Sequence, residues 1–145
     1  MKKIFAALLG LLLCSVMSAA FAQDSKPYKE GQVTEVSYIK VKPGQFNEYM
    51  KWLGSTYKQL MEANKKAGLI VAYAVYSAQA RSPHDPDLIL TVTYANMAAL
   101  DKIDEGEAVA AKVLGSMDAQ SKGFADRGTM REVLGSELIR ELVLK

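Results

Sequence analysis

The single histidine of the chain, His84, stands in the run Arg81-Ser82-Pro83-His84-Asp85-Pro86-Asp87. An imidazole titrates near neutrality, and beside carboxylates it could serve as a general base. The same run holds two prolines and two aspartates, residues that shape solvated turns, and this plainer reading outweighs the catalytic one. One histidine with two sequence-adjacent aspartates lacks the separated ligands of a stable zinc or iron site, so no metal is expected. Aromatic residues supply the other candidates. Tyr38, Tyr73 and Tyr76 fall on expected strands, where a phenol could orient a ligand, although aromatic side chains also suit ordinary half-buried strands. Trp52 lies off the main apolar stripe of a helix, free to face a pocket or a subunit contact. Arg81 and Arg140 complete the ligand-binding candidates. An arginine in a cavity between sheets needs an acidic partner or an anionic ligand, and Glu35 or Glu141 is the plain partner for Arg140.

These residues must be positioned by the elements around them. Val33 to Val41 is rich in β-branched and aromatic residues and ends at Pro43-Gly44. Phe46, Tyr49, Met50, Leu53, Tyr57, Leu60 and Met61 then recur at the spacing of one buried helical stripe, closed by Gly68. Leu69 to Tyr76 is an almost unbroken apolar run of strand length, and Leu88 to Tyr94 alternates. The proline-containing segment between them reads as a long hairpin connection. Asn96 can cap a second helical region from Met97, with Val109, Val113 and Met117 on one face and local interruptions at Gly106 and Gly115. Thr129 and Glu132 have capping-box spacing, predicting a last short helical turn closed by Gly135. Ser136 to Lys145 fits either a helix face or an alternating strand. Strand is favoured, because Gly135-Ser136 breaks the preceding helix and a βαββα order lacks its closing strand.

The N-terminus reads as an export signal. Lys2 and Lys3 precede the apolar run Ile4 to Leu13, and Ala20-Phe21-Ala22 supplies the small-x-small pattern for cleavage after Ala22. The run is short for a membrane span, which needs about 20 residues. A lipid anchor on Cys14 is the competing reading, disfavoured by bulky Leu13. Residues 1–22 are therefore expected to be a signal peptide, 23–32 a flexible lead-in and 33–145 one domain, periplasmic or secreted, with no stable membrane anchor. Cleavage of 22 residues from 145 leaves 123, and loss of Lys2 and Lys3 leaves 16 basic against 16 acidic side chains. With no net charge the main electrostatic argument for nucleic-acid binding disappears. The one cysteine leaves with the signal, so neither a disulfide nor a thiol nucleophile is expected. P-loop, dinucleotide and nucleophile-elbow fingerprints are absent from the sequence.

The order β-α-β-β-α-β is the split-βαβ arrangement: an α+β, ferredoxin-like fold with a four-stranded antiparallel sheet and helices on one face. Both sides of the later strands carry apolar residues while two helices cover only one face. At roughly 25 cal/mol per Å2, a wet second face would forfeit several kcal/mol, comparable with a small domain's net stability. A homodimer packed sheet to sheet is therefore expected. The strand, then VKPGQFNEYMKW, then the apolar second strand and DLILTVTYANMAAL resemble the dimeric α/β-barrel superfamily, which includes antibiotic-biosynthesis-type monooxygenases and small secreted proteins of unassigned activity. The resemblance implies a face-to-face dimer forming an α/β barrel. It also allows cofactor-free oxygenation or isomerisation of a small hydrophobic substrate, so no cofactor is expected. Haem-degrading members use an asparagine, a tryptophan and a helix-borne histidine, a pattern that does not transfer here. Two readings remain: a protein binding a small hydrophobic molecule in a sheet–sheet cavity, or an enzyme of the superfamily. A third is a structural or protein-interaction module, since a strand could add to another sheet.

Overall fold

The computed structural model describes residues 26–145. The expected signal peptide and its cleavage site lie outside the described residues. Four strands, β1 (Tyr28–Val41), β2 (Ala72–Ser77), β3 (Leu88–Tyr94) and β4 (Arg131–Leu144), form one sheet in the order β2-β3-β1-β4. The helices are α1 (Phe46–Trp52) and α2 (Lys58–Lys66), joined by a π-helical turn (Leu53–Tyr57), then α3 (Ile103–Leu114) and α4 (Met117–Met130). β1 and β2 each pair antiparallel with β3. The Lys42 N–H donates to Met130 O at 2.9 Å, and Gly31 lies against Glu141 at the other end, so β4 also runs antiparallel to β1. This is the ferredoxin-like βαββαβ topology.

Two units are distinguished: Glu30–Glu141, which carries the core and the helices, and a small one whose described part is 26–29 and 142–145. Within the small unit the Lys145 N–H donates to Pro27 O at 3.0 Å, and the Lys26 ammonium lies 5.7 Å from the centre of the Tyr28 ring.

The turn before α1 follows from its residues. Proline pre-sets φ at Pro43, Gly44 takes a φ of +76°, and the Gln45 N–H returns to Lys42 O at 3.0 Å. At the far end the Gly68 N–H bonds Lys65 O and the Leu69 N–H bonds Asn64 O, with Gly68 at φ +71°. Together these form a Schellman stop. The π turn between α1 and α2 is supported by Ser55, whose hydroxyl donates to Lys51 O at 2.7 Å and Trp52 O at 3.3 Å. A widened turn disrupts the regular ladder, and this back-bonding satisfies carbonyls beside it.

The core joins Ile39 and Val41 of β1, Leu88 and Leu90 of β3, and Tyr49, Leu53 and Tyr57 of the first helical segment. Only part of the expected stripe is buried: Phe46 is 48% exposed and Met50 38%. From the strand register, Glu35, Ser37, Ile39, Leu90 and Val92 share the helix-covered face. Val36, Tyr38, Ile89, Thr91, Ala74 and Tyr76 share the other.

Three further expectations are corrected. β1 starts at Tyr28, so residues 28–32 of the expected flexible lead-in are strand, because β4 reaches Leu144 and offers that segment a pairing partner. The second helical region is three pieces. Asn96 does cap, its Oδ1 accepting the Ala99 N–H at 3.1 Å, but a 3-10 turn (Met97–Asp101) comes first. Gly115 at φ +87° then divides α3 from α4, which Ser116 caps. Finally, Thr129 ends a helix rather than opening one: its hydroxyl donates back to Asp126 O at 2.6 Å, and β4 begins at Arg131. The strand reading of Ser136 to Lys145 holds through Leu144, with β4 beginning five residues earlier than expected.

Candidate functional site

The register of β1 and β3 sets the floor of a cavity of about 150 Å3 between the sheet and the helices. Its apolar wall is Ile39, Leu90 and Val92 from the strands with Trp52 and Tyr57 from the first helical segment. Its polar wall is Glu35 and Ser37 from β1, Arg127 from the last turn of α4 and Arg131 from the first position of β4. A wider groove of about 450 Å3 between that helical segment, α3 and α4 shares Trp52, Tyr57 and Arg127 with it.

The side chains around the cavity are held by ring contacts. Tyr49 and Trp52 stack with centroids 5.9 Å apart and planes 2° from parallel. Tyr57 meets Trp52 at 6.0 Å and Tyr73 edge-on at 5.9 Å. The Arg127 guanidinium lies 5.0 Å from the Trp52 ring centre and 5.3 Å from that of Phe124, and Arg131 lies 5.7 Å from that of Tyr49. Neither arginine forms an ion pair with a carboxylate among the described residues. Among the described residues three buried polar side-chain atoms find no hydrogen-bond partner: Tyr57 Oη and Arg131 Nε on the lining, and Tyr49 Oη behind it.

Titration behaviour follows from this environment. Burial pushes the Tyr57 phenol up to about 12, helped by the neighbouring tyrosines and Glu35. Burial also raises Tyr49, although Arg131 and Arg127 pull it back. Arg127 is lowered, first by burial and then by the positive charge of Arg131. Tyr94, raised by burial and by Glu35, donates its hydroxyl to Glu35 at 3.4 Å. The arrangement is therefore a small aromatic-walled space with a cationic end and, on β1, one carboxylate. It suits recognition of a ring with polar substituents better than proton transfer, since the two phenols beside it stay protonated far above neutrality.

Of the candidate catalytic and ligand-binding residues, Trp52 alone lines this space; Glu35, which the sequence offers only as a partner for Arg140, lines it too. Tyr73 reaches its edge through Tyr57 and donates to Glu62 at 2.7 Å. Tyr38 faces the uncovered side of the sheet and donates to Glu137 at 2.5 Å, which raises its phenol. Tyr76 is exposed on the edge strand β2. Arg140 pairs with Glu30 at 2.8 Å, a partner other than Glu35 or Glu141. His84 and Arg81 are exposed in a turn organised by Asp85, whose carboxylate accepts the Arg81 and Ser82 N–H groups at 2.8 Å and is held below its ordinary value by them. Asp87 ties that loop to β1 through Lys40 at 3.1 Å and the Val41 N–H at 2.9 Å. Arg127, Arg131, Tyr49 and Tyr57 received no functional reading from the sequence. The i, i+4 spacing of the two arginines was the one signal available. This partly open space lies on the helix-covered face, a different place from the expected cavity between two sheets. Among the described residues no group of three or more His, Cys, Asp or Glu side chains gathers to hold a metal, and no helix is long and apolar enough to cross a membrane.

No protein-family model matches the sequence, and no curated protein does. Solved structures do match. HapK from Hahella chejuensis superposes with a TM-score of 0.50 at 15% identity, covering 75% of this chain and 91% of its own. Protein SO0527 from Shewanella oneidensis gives a TM-score of 0.50 at 17% identity, covering 80% and 98%. A dimeric ferredoxin-like protein from an uncultured marine organism gives 0.50 at 10% identity, covering 81% and 98%. At such identities the likeness speaks for the fold and not for chemistry. The chain has the ferredoxin-like fold.

Proposed function

We propose that the protein is exported and works as a homodimer, each protomer holding a small molecule with an apolar, ring-sized body between its sheet and its helices. The observation that carries the reading is the pair of buried, unpartnered polar atoms, Tyr57 Oη and Arg131 Nε, on residues lining an aromatic-walled cavity. Buried polar groups in native proteins are almost always hydrogen-bonded, and an apolar pocket with a few convergent polar groups is the usual form of a small-molecule site. A volume near 150 Å3 accommodates about one benzene-sized ring. Export is supported by Lys2 and Lys3, the apolar run to Leu13 and Ala20-Phe21-Ala22. Dimerisation is supported by the uncovered sheet face and by two neighbours of this fold that are described as dimeric.

Thermal unfolding in the presence of a panel of one-ring compounds, neutral and charged, tests the binding. At least one member should raise Tm in a saturable way, and Trp52→Ala should abolish the rise while leaving a cooperative transition. A panel without effect on the wild type would remove the binding reading. Protein recovered from a periplasmic extract should have the intact mass of a chain beginning at Gln23; retention of the full precursor mass would contradict export with cleavage.

A further inference from the structure

We infer that Arg127 and Arg131 form a carboxylate-recognition pair, so that the ligand of the cavity is a monocyclic carboxylic acid. The inference rests on the binding reading above and narrows it to one chemical class.

The two guanidiniums reach the same space from different elements, Arg127 from the end of α4 and Arg131 from the start of β4. Taking two cations into a partly buried site is unfavourable unless an anion accompanies them. Elsewhere in this molecule carboxylates do accompany cations: Lys40 has Asp87, Lys51 has Glu48 and Arg140 has Glu30. At the cavity the two guanidiniums lie against ring faces, and although Glu35 shares the lining, neither arginine forms an ion pair with a carboxylate among the described residues. The ring faces hold a guanidinium in place but do not neutralise it. Arg127 alone could be explained as a cation stabilising the C-terminal end of a helix. That account does not extend to Arg131, which sits in a strand with its Nε buried and unpartnered.

A guanidinium offers a planar fork of donors matched to the two oxygens of a carboxylate, and such charge-assisted pairs are among the stronger hydrogen bonds. The Tyr57 hydroxyl, on the lining, adds a donor that remains protonated at neutral pH. The apolar wall then takes the ring. Glu35, on the same cavity, opposes a second acidic group, which restricts the ligand to a monoacid and favours one whose ring carries a hydrogen-bond donor.

Trp52 is the only tryptophan of the chain and lines the cavity, so intrinsic fluorescence of the purified protein reads occupancy directly. Benzoate, its neutral isostere benzamide, and toluene are the probes. Benzoate should give a saturable change with an affinity at least about tenfold above benzamide, the ratio expected for one charge-assisted hydrogen bond. Arg127→Gln and Arg131→Gln should each erase that preference. The comparison of benzoate with benzamide is made on the wild-type protein, so it stands even if a variant fails to fold. Equal binding of benzoate and benzamide, or binding of toluene alone, overturns the carboxylate inference while the binding reading survives. No saturable response to any of the three overturns both.

Discussion

Tyr57 shows how one side chain links stability to pH in this protein. Its phenol titrates near 10 in an unfolded chain and about 12 in the folded one, chiefly because burial disfavours the phenolate. Between those values the unfolded chain has lost a proton that the folded chain still holds, so stability falls as pH rises. The contribution is whole below pH 10 and is lost as pH passes through about 12. Because the hydroxyl is buried without a partner, Tyr57→Phe removes the titration and also an unsatisfied group. Urea unfolding should find Tyr57→Phe as stable as wild type or more so by about 1 kcal/mol at pH 7, with a shallower decline above pH 10. A loss exceeding 1 kcal/mol at pH 7 would mean that the hydroxyl has a partner. At this scale the sequence was only partly legible. Trp52 stood out because it fell off the stripe. Arg127 and Arg131 did not, because their convergence depends on where a helix stops and a strand begins, and Thr129-Glu132 pointed to the wrong stop. Arg140 drew attention as an arginine on a strand, yet the strand pairing that gives it Glu30 begins before the residues read as β1.

The first helical segment illustrates what periodicity can and cannot give. A 3.6-residue period puts Phe46, Met50 and Tyr49 on one stripe with Leu53 and Tyr57, and the element itself was legible from the Pro-Gly turn to the Gly68 stop. What the period could not show is the π turn at Leu53–Tyr57. Four-residue steps overshoot a 3.6-residue turn, and the wider π turn undershoots. Tyr49, Leu53 and Tyr57 therefore line up against the sheet while Phe46 and Met50 rotate toward solvent. Two truncations separate the stripe from the observed face. Leu53→Ala should cost about 2–5 kcal/mol, as for a buried leucine, whereas Met50→Ala should cost under about 1 kcal/mol. Equal losses in denaturant unfolding would restore the simple stripe and place the cavity's aromatic wall in the wrong register. Correct placement matters for function, because Trp52 and Tyr57 reach the cavity only if the face turns between them.

On the scale of the whole molecule, the sheet and its edges decide how the protein exists in solution. The helices cover the face bearing Ile39, Leu90 and Val92, leaving Tyr38, Ile89, Thr91, Ala74 and Tyr76 on the other. That the strands carry apolar residues on both faces was legible in the sequence, and from it came the expectation of a second sheet. The register needed to say which residues meet the partner was not legible, because a one-residue shift moves every side chain to the opposite face. β4 adds a second reason for a partner. It is an edge strand of 14 residues on which Leu134, Leu138, Ile139 and Leu142 are all exposed, and long apolar edges invite pairing unless covered. A stable interface commonly buries about 800 Å2 per partner, within reach of a four-stranded face. Sedimentation at micromolar concentration should therefore show a dimer. Thr91→Arg puts a charge on β3 opposite both Val36 and Ala74 on the uncovered face, where a partner sheet would have to desolvate it. The variant should sediment as a monomer with the wild-type circular dichroism spectrum and unchanged Trp52 fluorescence, since the cavity lies on the other face. A variant that stays dimeric would move the interface to the β4 edge, and a monomeric wild type would remove the dimer altogether.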